Sequence, residues 1–553
     1  MLVGQVVSVV SLLLVIGIIM GMVLNSHVAK NQHGPFTSMR PVTSFCEPAL
    51  YKDVCAKSVG DVAKNGTASG KDFLLATFKA TMADLNTTKQ NTGNVTVTKT
   101  LDLYHYNTVQ DCKELIDYAI DALNESISMI DATDPNALNE LVDELLNYLG
   151  GVYAFESTCL DSFQNADLRK QMEDILSTSS QLTDNAINIV ADINKILKAF
   201  NVSVPAKHPK RRLLNVDDEY PSWFPAADRE LLQTVGRRRI ANAVVSKDGS
   251  GRFRTITDAI NAYPRGFKGR YVVYVKAGVY NEKVIIDKTK PFVFIYGDGA
   301  GKTIITGSDN FGVKNTPTWR TATFSSAAKG VVIKRMTIRN TAGPVGHQAV
   351  ALRVQGDMTA VFDCSIEGFQ DTLYYHTFRQ FYRNCAISGT VDFIFGQGSA
   401  MIQTSTIIVR KPGPEQSNTV TADGNAKHNL NVGLVIHDSK IVPEVALVPD
   451  RFTVKTYLGR PWKSFATTIL LKCELGDFIR PEGWLIWQGE SFQNTCNYGE
   501  FDNIGPGSAT SLRDKAFKRW RVLSPQEANR YSLASFIGDA WLKKSSVPYV
   551  STL

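Results

Sequence analysis

Asp371 and Asp392 are the residues of this 553-residue chain best placed to do chemistry. Asp392 lies in SGTVDFIFGQG (388–398), a lone carboxylate among Val391, Phe393, Ile394 and Phe395. A charge in such apolar surroundings costs several kcal/mol unless it is paired or hydrogen-bonded. Asp371 stands 21 residues earlier, and Cys364 and Cys385 are also 21 apart, so both pairs occupy equivalent places in a repeat. Neighbouring parallel strands lie about 4.8 Å apart, which brings the two carboxyl groups within coupling distance. Close carboxylates in a partly dry groove separate in pKa, one protonated and the other ionised, giving an acid and a nucleophile. On spacing alone, a purely structural stacking of the two is an equal reading.

The repeat that must carry them begins near Ala241. VVIKRMTI, VFDCSI, FYRNCAI, AMIQTSTI and LVIHDSKI each end on an isoleucine: Ile338, Ile366, Ile387, Ile407 and Ile441. Steps of 28, 21, 20 and 34 fit coils of about 20 residues with loop insertions, the pattern of a solenoid whose neighbours bury one core. The expected fold of residues 239–553 is a right-handed parallel β-helix, an all-β solenoid. A sandwich would show tighter hairpin loops and stricter alternation.

Residues 40–203 read differently. Cys112, Leu115, Ala119, Leu123 and Ile127, then Leu138, Leu141, Leu145 and Leu149, keep the three-and-four spacing of helices, and Leu168 to Phe200 supplies another long amphipathic run. Asp134-Pro135 predicts a helix start with a cap and an N1 proline. The expectation is an all-α four-helix bundle. Its cysteines, Cys46, Cys55, Cys112 and Cys159, allow three connectivities in an oxidising compartment.

Before the bundle, Leu2 to Leu24 is apolar and the first charge is Lys30, so residues 1–25 predict a signal anchor or a signal peptide, the sole membrane element expected. Sequons at Asn65, Asn86, Asn94, Asn124 and Asn201, with none later, agree with a secretory route. Residues 1–214 carry 18 basic against 23 acidic residues and 215–553 carry 42 against 30, balances of −5 and +12. A basic second half suits an anionic partner, or a solvated surface. Between the halves, residues 204–238 read as a linker in which Arg211, Arg212, Leu213 and Leu214 form a candidate cleavage site for a processing protease.

Other chemistries find little support. There is no G-x-S-x-G elbow, the eight histidines form no ligand cluster, and GDGAGKT (297–303) has Tyr296 where a phosphate loop needs its first glycine, so a bend between coils is expected there. Nucleic acid is not an expected partner.

ITGSDNF, RTATF, RNTAGPVGHQAVALRV, GFQDTLYYHTFRQFY, GTVDFIFG, YLGRPWK and GPGS, in that order, resemble plant pectin methylesterases over residues 240–545. The front half, by cysteine spacing and helix pattern, resembles the plant invertase and pectin methylesterase inhibitor family. Together they resemble that enzyme family's class with a pro-region. The resemblance implies that Asp392 is the nucleophile and Asp371 the general acid and base, with Gln370 and Gln348 stabilising the oxyanion. Arg460 would hold Asp392, Trp462 would pack the sugar, and Thr318 would contact substrate. Phe395, Trp484 and Trp487 are further candidates for sugar stacking. No metal or organic cofactor is implied, and the implied partner is methyl-esterified homogalacturonan (pectin), with inhibitor proteins as further partners and the cell wall, by way of the Golgi, as destination. A catalytically idle pectin-binding or inhibitor protein is the alternative, and glycosidic cleavage on the same scaffold a third reading.

Ser405 stands where family members commonly have a third cysteine, while Cys473 and Cys496 are additional, so the family's usual disulfide is not expected. The expected bridges are Cys46–Cys55 and Cys112–Cys159, with Cys364 and Cys385 unbridged or weakly bridged.

Overall fold

A computed structural model describes residues 39–200, 202 and 241–553. Leu2–Leu24, the Asn201 sequon and Arg211–Leu214 lie outside the described residues. No described helix is long and apolar enough to cross a membrane.

The first described unit is helical: α1 (Met39–Phe45), α2 (Lys52–Ala63), α3 (Gly70–Thr92), α4 (Leu103–Ala132), α5 (Val142–Asp161), α6 (Ala166–Ala191) and α7 (Ile193–Ala199). Local sequence sets the starts. Ser69 and Asp72 form a capping box on α3, and Asp102 and Asn165 accept from backbone amides at the heads of α4 and α6. Cys46–Cys55 closes the α1–α2 hairpin and Cys112–Cys159 staples α4 to α5. Asn65, Asn86, Asn94 and Asn124 are exposed.

Asp134 caps and Pro135 opens a helical segment as expected, but the type of that segment and the length of the run from Leu168 are corrected. Asp134-Pro135 opens a 3-10 segment, Pro135–Leu141, which runs into α5 only at Val142. Leu138, Leu145 and Leu149 are buried in the core and Leu141 packs partly buried against it. The run from Leu168 breaks at Asp192, whose φ of −100° and ψ of 17° leave the helical region and re-aim Ile193, Ile196 and Leu197 into the core.

The second unit is a parallel β-helix of three sheets with 11, 7 and 8 strands. Ile338, Ile366, Ile387, Ile407 and Ile441 are register partners on successive coils, a buried apolar ladder inside the barrel. Stacking β-branched side chains on pleated neighbours fills the core without voids. Helical structure does not vanish after Ala241: α8 (Ile256–Asn261) turns Ile256, Ala259 and Ile260 into the barrel's first coil and plugs its end. Trp484, Tyr498 and Phe517 stack near the other end. Trp484 is therefore core and not a sugar platform, being 1% exposed. GDGAGKT is the bend from the Val293–Gly297 strand to the Thr303–Gly307 strand.

The bundle packs on the seven-stranded sheet. Tyr374, Phe395, Ala422, Leu430 and Val432 of the β-helix share one apolar cluster with α4, α5 and α6. Among the described residues five ion pairs cross the contact, each with its carboxylate on the bundle: Asp111–Arg320, Asp121–Lys288, Glu144–Arg379, Asp161–Lys463 and Asp184–Lys427. The opposite charges of the two halves thus meet at one surface.

Candidate active site

Leu373 pairs with Ile394 in adjacent strands of the seven-stranded sheet, so Asp371 and Asp392, each two residues earlier, occupy the same place on neighbouring coils. Both have positive φ, 62° and 49°, a conformation that aspartate tolerates better than most residues. This breaks the alternation of the strand, so that Phe393 turns into the barrel core beside a carboxylate that the core excludes.

Asp392 is clamped. Arg460 donates from Nε to Oδ1 at 2.8 Å and from an amino group to Oδ2 at 2.6 Å, a bidentate, charge-assisted pair. Thr419 donates its hydroxyl to Oδ1 at 2.6 Å and accepts from the Asp392 amide at 2.8 Å. The Arg460 guanidinium also lies 4.4 Å from the Trp487 ring centroid, which fixes its plane. Asp371 has no such clamp. Burial raises its pKa well above the usual carboxylate range, the charge of Asp392 raises it further, and Arg460 offsets this only in part. The pair is thus asymmetric: Asp371, with its pKa raised by burial, stands beside a carboxyl group aimed by arginine and threonine.

The other expected residues fall at different distances from this centre. Gln370 adjoins Asp371 in sequence and is half-buried, and Gln348 precedes the Leu352–Val354 strand one coil back, with its Oε1 buried and unpartnered. Thr318 lies in a 3-10 turn, Thr318–Arg320, before the Phe324–Ser326 strand, two coils from Asp371. Trp462 is half-buried, with its ring 6.0 Å from Phe395, and Phe395 stacks at 4.3 Å on Tyr374.

Those aromatics are covered. On α5 the Thr158 hydroxyl sits 2.8 Å from Nε2 of His376 and 3.3 Å from the Tyr374 hydroxyl, and Gln397 donates to Ser157 at 3.1 Å. Burial, with Arg353 nearby, holds His376 well below its usual pKa. Thr419, His376 and Arg353 were missed from sequence. Thr419 follows Asp392 by 27 residues, because an insertion stretches the coil, and aligning NTVTAD on the ladder would have found it.

A parallel β-helix presenting a clamped aspartate beside a buried, unclamped one, under a disulfide-bonded helical bundle, defines a two-domain protein with hydrolase-like machinery. Residues 242–540 match the Pectinesterase family and residues 40–189 the Plant invertase/pectin methylesterase inhibitor family. The chain is 38% identical to Pectinesterase 4 of Arabidopsis thaliana over 98% of both chains. It is equally identical to a probable pectinesterase/pectinesterase inhibitor of Brassica napus over 99% of both. A solved pectin methylesterase from carrot is 42% identical, with a TM-score of 0.56, and covers 57% of this chain and all of its own. The chain belongs to the pectinesterase family, enzymes that hydrolyse the methyl esters of pectin, and carries an inhibitor-like domain in the same polypeptide.

Proposed function

We propose that this chain is a latent pectinesterase whose catalytic groove is fully built and covered by its own bundle. Asp392 attacks the methyl ester carbonyl of a galacturonate in homogalacturonan. The carbonyl oxygen becomes an oxyanion facing the Gln348 and Gln370 amides. Asp371 gives its proton to the departing methoxy group, releasing methanol and leaving an acyl-enzyme on Asp392. Water then attacks the galacturonyl carbonyl of that mixed anhydride, loses a proton to Asp371, and frees the galacturonate carboxylate and Asp392. Arg460 and Thr419 keep the attacking oxygens aimed throughout.

The register of Asp371 on Asp392, with Arg460 bidentate to Asp392, is the single observation that carries this reading. An idle pectin-binding protein would have no need of a carboxylate held in that way. The seat of α5 over Tyr374 and Phe395 supports latency, relieved when a processing protease cuts at Arg211–Leu214 on the way to the cell wall.

Methanol release from methylated pectin is the test. The chain cleaved in the linker should turn over substrate, the uncleaved chain should do so at least about tenfold more slowly, and Asp392→Asn should silence the cleaved form while leaving its folding intact. Equal rates before and after cleavage would remove the latency, and a folded, active Asp392→Asn variant would remove the mechanism.

A further inference from the structure

Arg353 is held beneath the bundle without a complete set of partners. It is the middle residue of the Leu352–Val354 strand, in register with Tyr374 one coil before the aspartates, and it is 5% exposed. Its guanidinium lies 3.6 Å from the Trp319 ring centroid, and one amino group donates to the Trp319 carbonyl. Its Nε has no partner, nor has Nε1 of Trp319. One coil further back, Arg320 donates through Nε to Asp111 of α4, whose second oxygen is buried and unpartnered. Arg353 is near enough to act on the Asp111 charge as well.

Buried donors left unmade are costly, and native contacts seldom leave several together. Here Arg320 bonds Asp111, Arg353 acts on it through charge from its place on the Trp319 ring, and the Arg353 Nε and the indole N–H of Trp319 stay buried without a partner. The short Asp111 side chain reaches Arg320 alone, so its second oxygen and those donors of Arg353 and Trp319 all stay unmade. A carboxylate borne on a ring with hydroxyl groups would use the rest, and the groove that holds these residues also holds Asp371 and Asp392.

We propose that Arg353 and Arg320, floored by Trp319, form a subsite for the free carboxylate of a galacturonate unit lying toward the N-terminal end of the groove from the ester under attack, and that Asp111 fills it in the latent chain. This rests on the pectinesterase reading of the aspartate pair. Its consequence is a preference for chain segments that are already partly demethylated, because each turnover creates the carboxylate that the subsite takes. The bundle then covers the groove partly by presenting a copy of the product's charge.

The test uses the β-helix freed from the full chain by proteolysis within residues 203–240. The carrot enzyme is solved with its whole chain matched to 57% of this one, so a β-helix of this kind stands without a bundle. Arg353→Gln and, separately, the partly exposed Arg320→Gln are compared with the parent on fully methylated and on partly demethylated oligogalacturonides. The ratio of kcat/KM for the second substrate over the first is expected to fall about tenfold, the scale of a lost charged hydrogen bond. Inhibition by polygalacturonate should weaken by a similar factor. Damage to the fold lowers both rates and leaves the ratio in place. If Arg353→Gln does not fold, the Arg320→Gln ratio decides. A ratio within twofold of the parent, with polygalacturonate inhibition retained, overturns the proposal. Absence of methanol release from any substrate by the parent would instead overturn the pectinesterase reading.

Discussion

Gly151 of α5 faces Phe378 so closely that a Cβ built on it would fall 2.2 Å from Cε1 of that ring. Phe378 has a φ of 61° and projects from the turn after the Leu373–Tyr375 strand into a slot walled by Tyr148 and Phe155, with ring centroids 5.6 and 5.9 Å away. The ring cannot retreat without disturbing both. A helix-interior glycine costs about 1 kcal/mol relative to alanine, so Gly151 is kept for this approach.

Gly151→Leu should therefore lift the bundle off the groove. Overpacking of this kind costs roughly 1–3 kcal/mol, enough to raise methanol release by the uncleaved chain by about five- to a hundredfold. The cleaved enzyme, which lacks the contact, gives the ceiling. No rise in a folded variant would mean that α5 does not obstruct substrate.

Thr419→Val removes one hydroxyl from Asp392 and leaves Arg460 in place. The expected loss is about tenfold in kcat with little change in KM, because the hydrogen bond aims the nucleophile and does not hold the sugar. Arg460→Lys should be more damaging than its charge suggests, since a point ammonium cannot reproduce the two-pronged contact. A lysine variant with parental kcat would show that the fork is dispensable.

Latency should weaken as pH rises. Burial pushes Glu156 of α5 up to about 8 from an ordinary 4.5. The Ser179 and Thr183 hydroxyls and Lys427 offset this in part, while Asp184 reinforces it. A carboxyl with a raised folded-state pKa contributes its full stability below the unfolded value and loses it as pH climbs through the folded one. The packed bundle is thus favoured near pH 4 and loosened by about pH 8. Methanol release by the uncleaved chain, normalised to the cleaved enzyme, should rise over that window, and Glu156→Gln should flatten the rise. Latency that tightens with pH would contradict the assignment.

Cys364, Cys385, Cys473 and Cys496 are buried free thiols. Burial pushes Cys364 and Cys473 up to about 12, far from the thiolate needed for alkylation. The native protein should resist iodoacetamide at these positions and yield four reactive thiols when denatured without reductant. Peptide mapping should find Cys46–Cys55 and Cys112–Cys159 linked, and a stoichiometric Cys364–Cys385 bridge would refute this framework.

The isoleucine ladder and the shared coil position of Asp371 and Asp392 were legible because a solenoid writes its register into the sequence as a period of about 20 residues. Thr419 escaped because the coil between Asp392 and its register partner is longer. The break at Asp192 escaped because apolar spacing continues through it and only the backbone angles change. The same limit, on a larger scale, separates what each half showed by itself from what the two make together. Local spacing and side-chain chemistry fixed the bundle, the β-helix and the aspartate pair, each dictated by residues within a coil or a helix turn of one another. That Thr158 meets His376, that Phe378 lodges against Gly151, and that Asp111 reaches Arg320 depend on pairs more than 200 positions apart. No period or motif encodes such contacts. Only the packing of one complete surface on another, with opposite charges facing and apolar area buried between them, could bring those residues together.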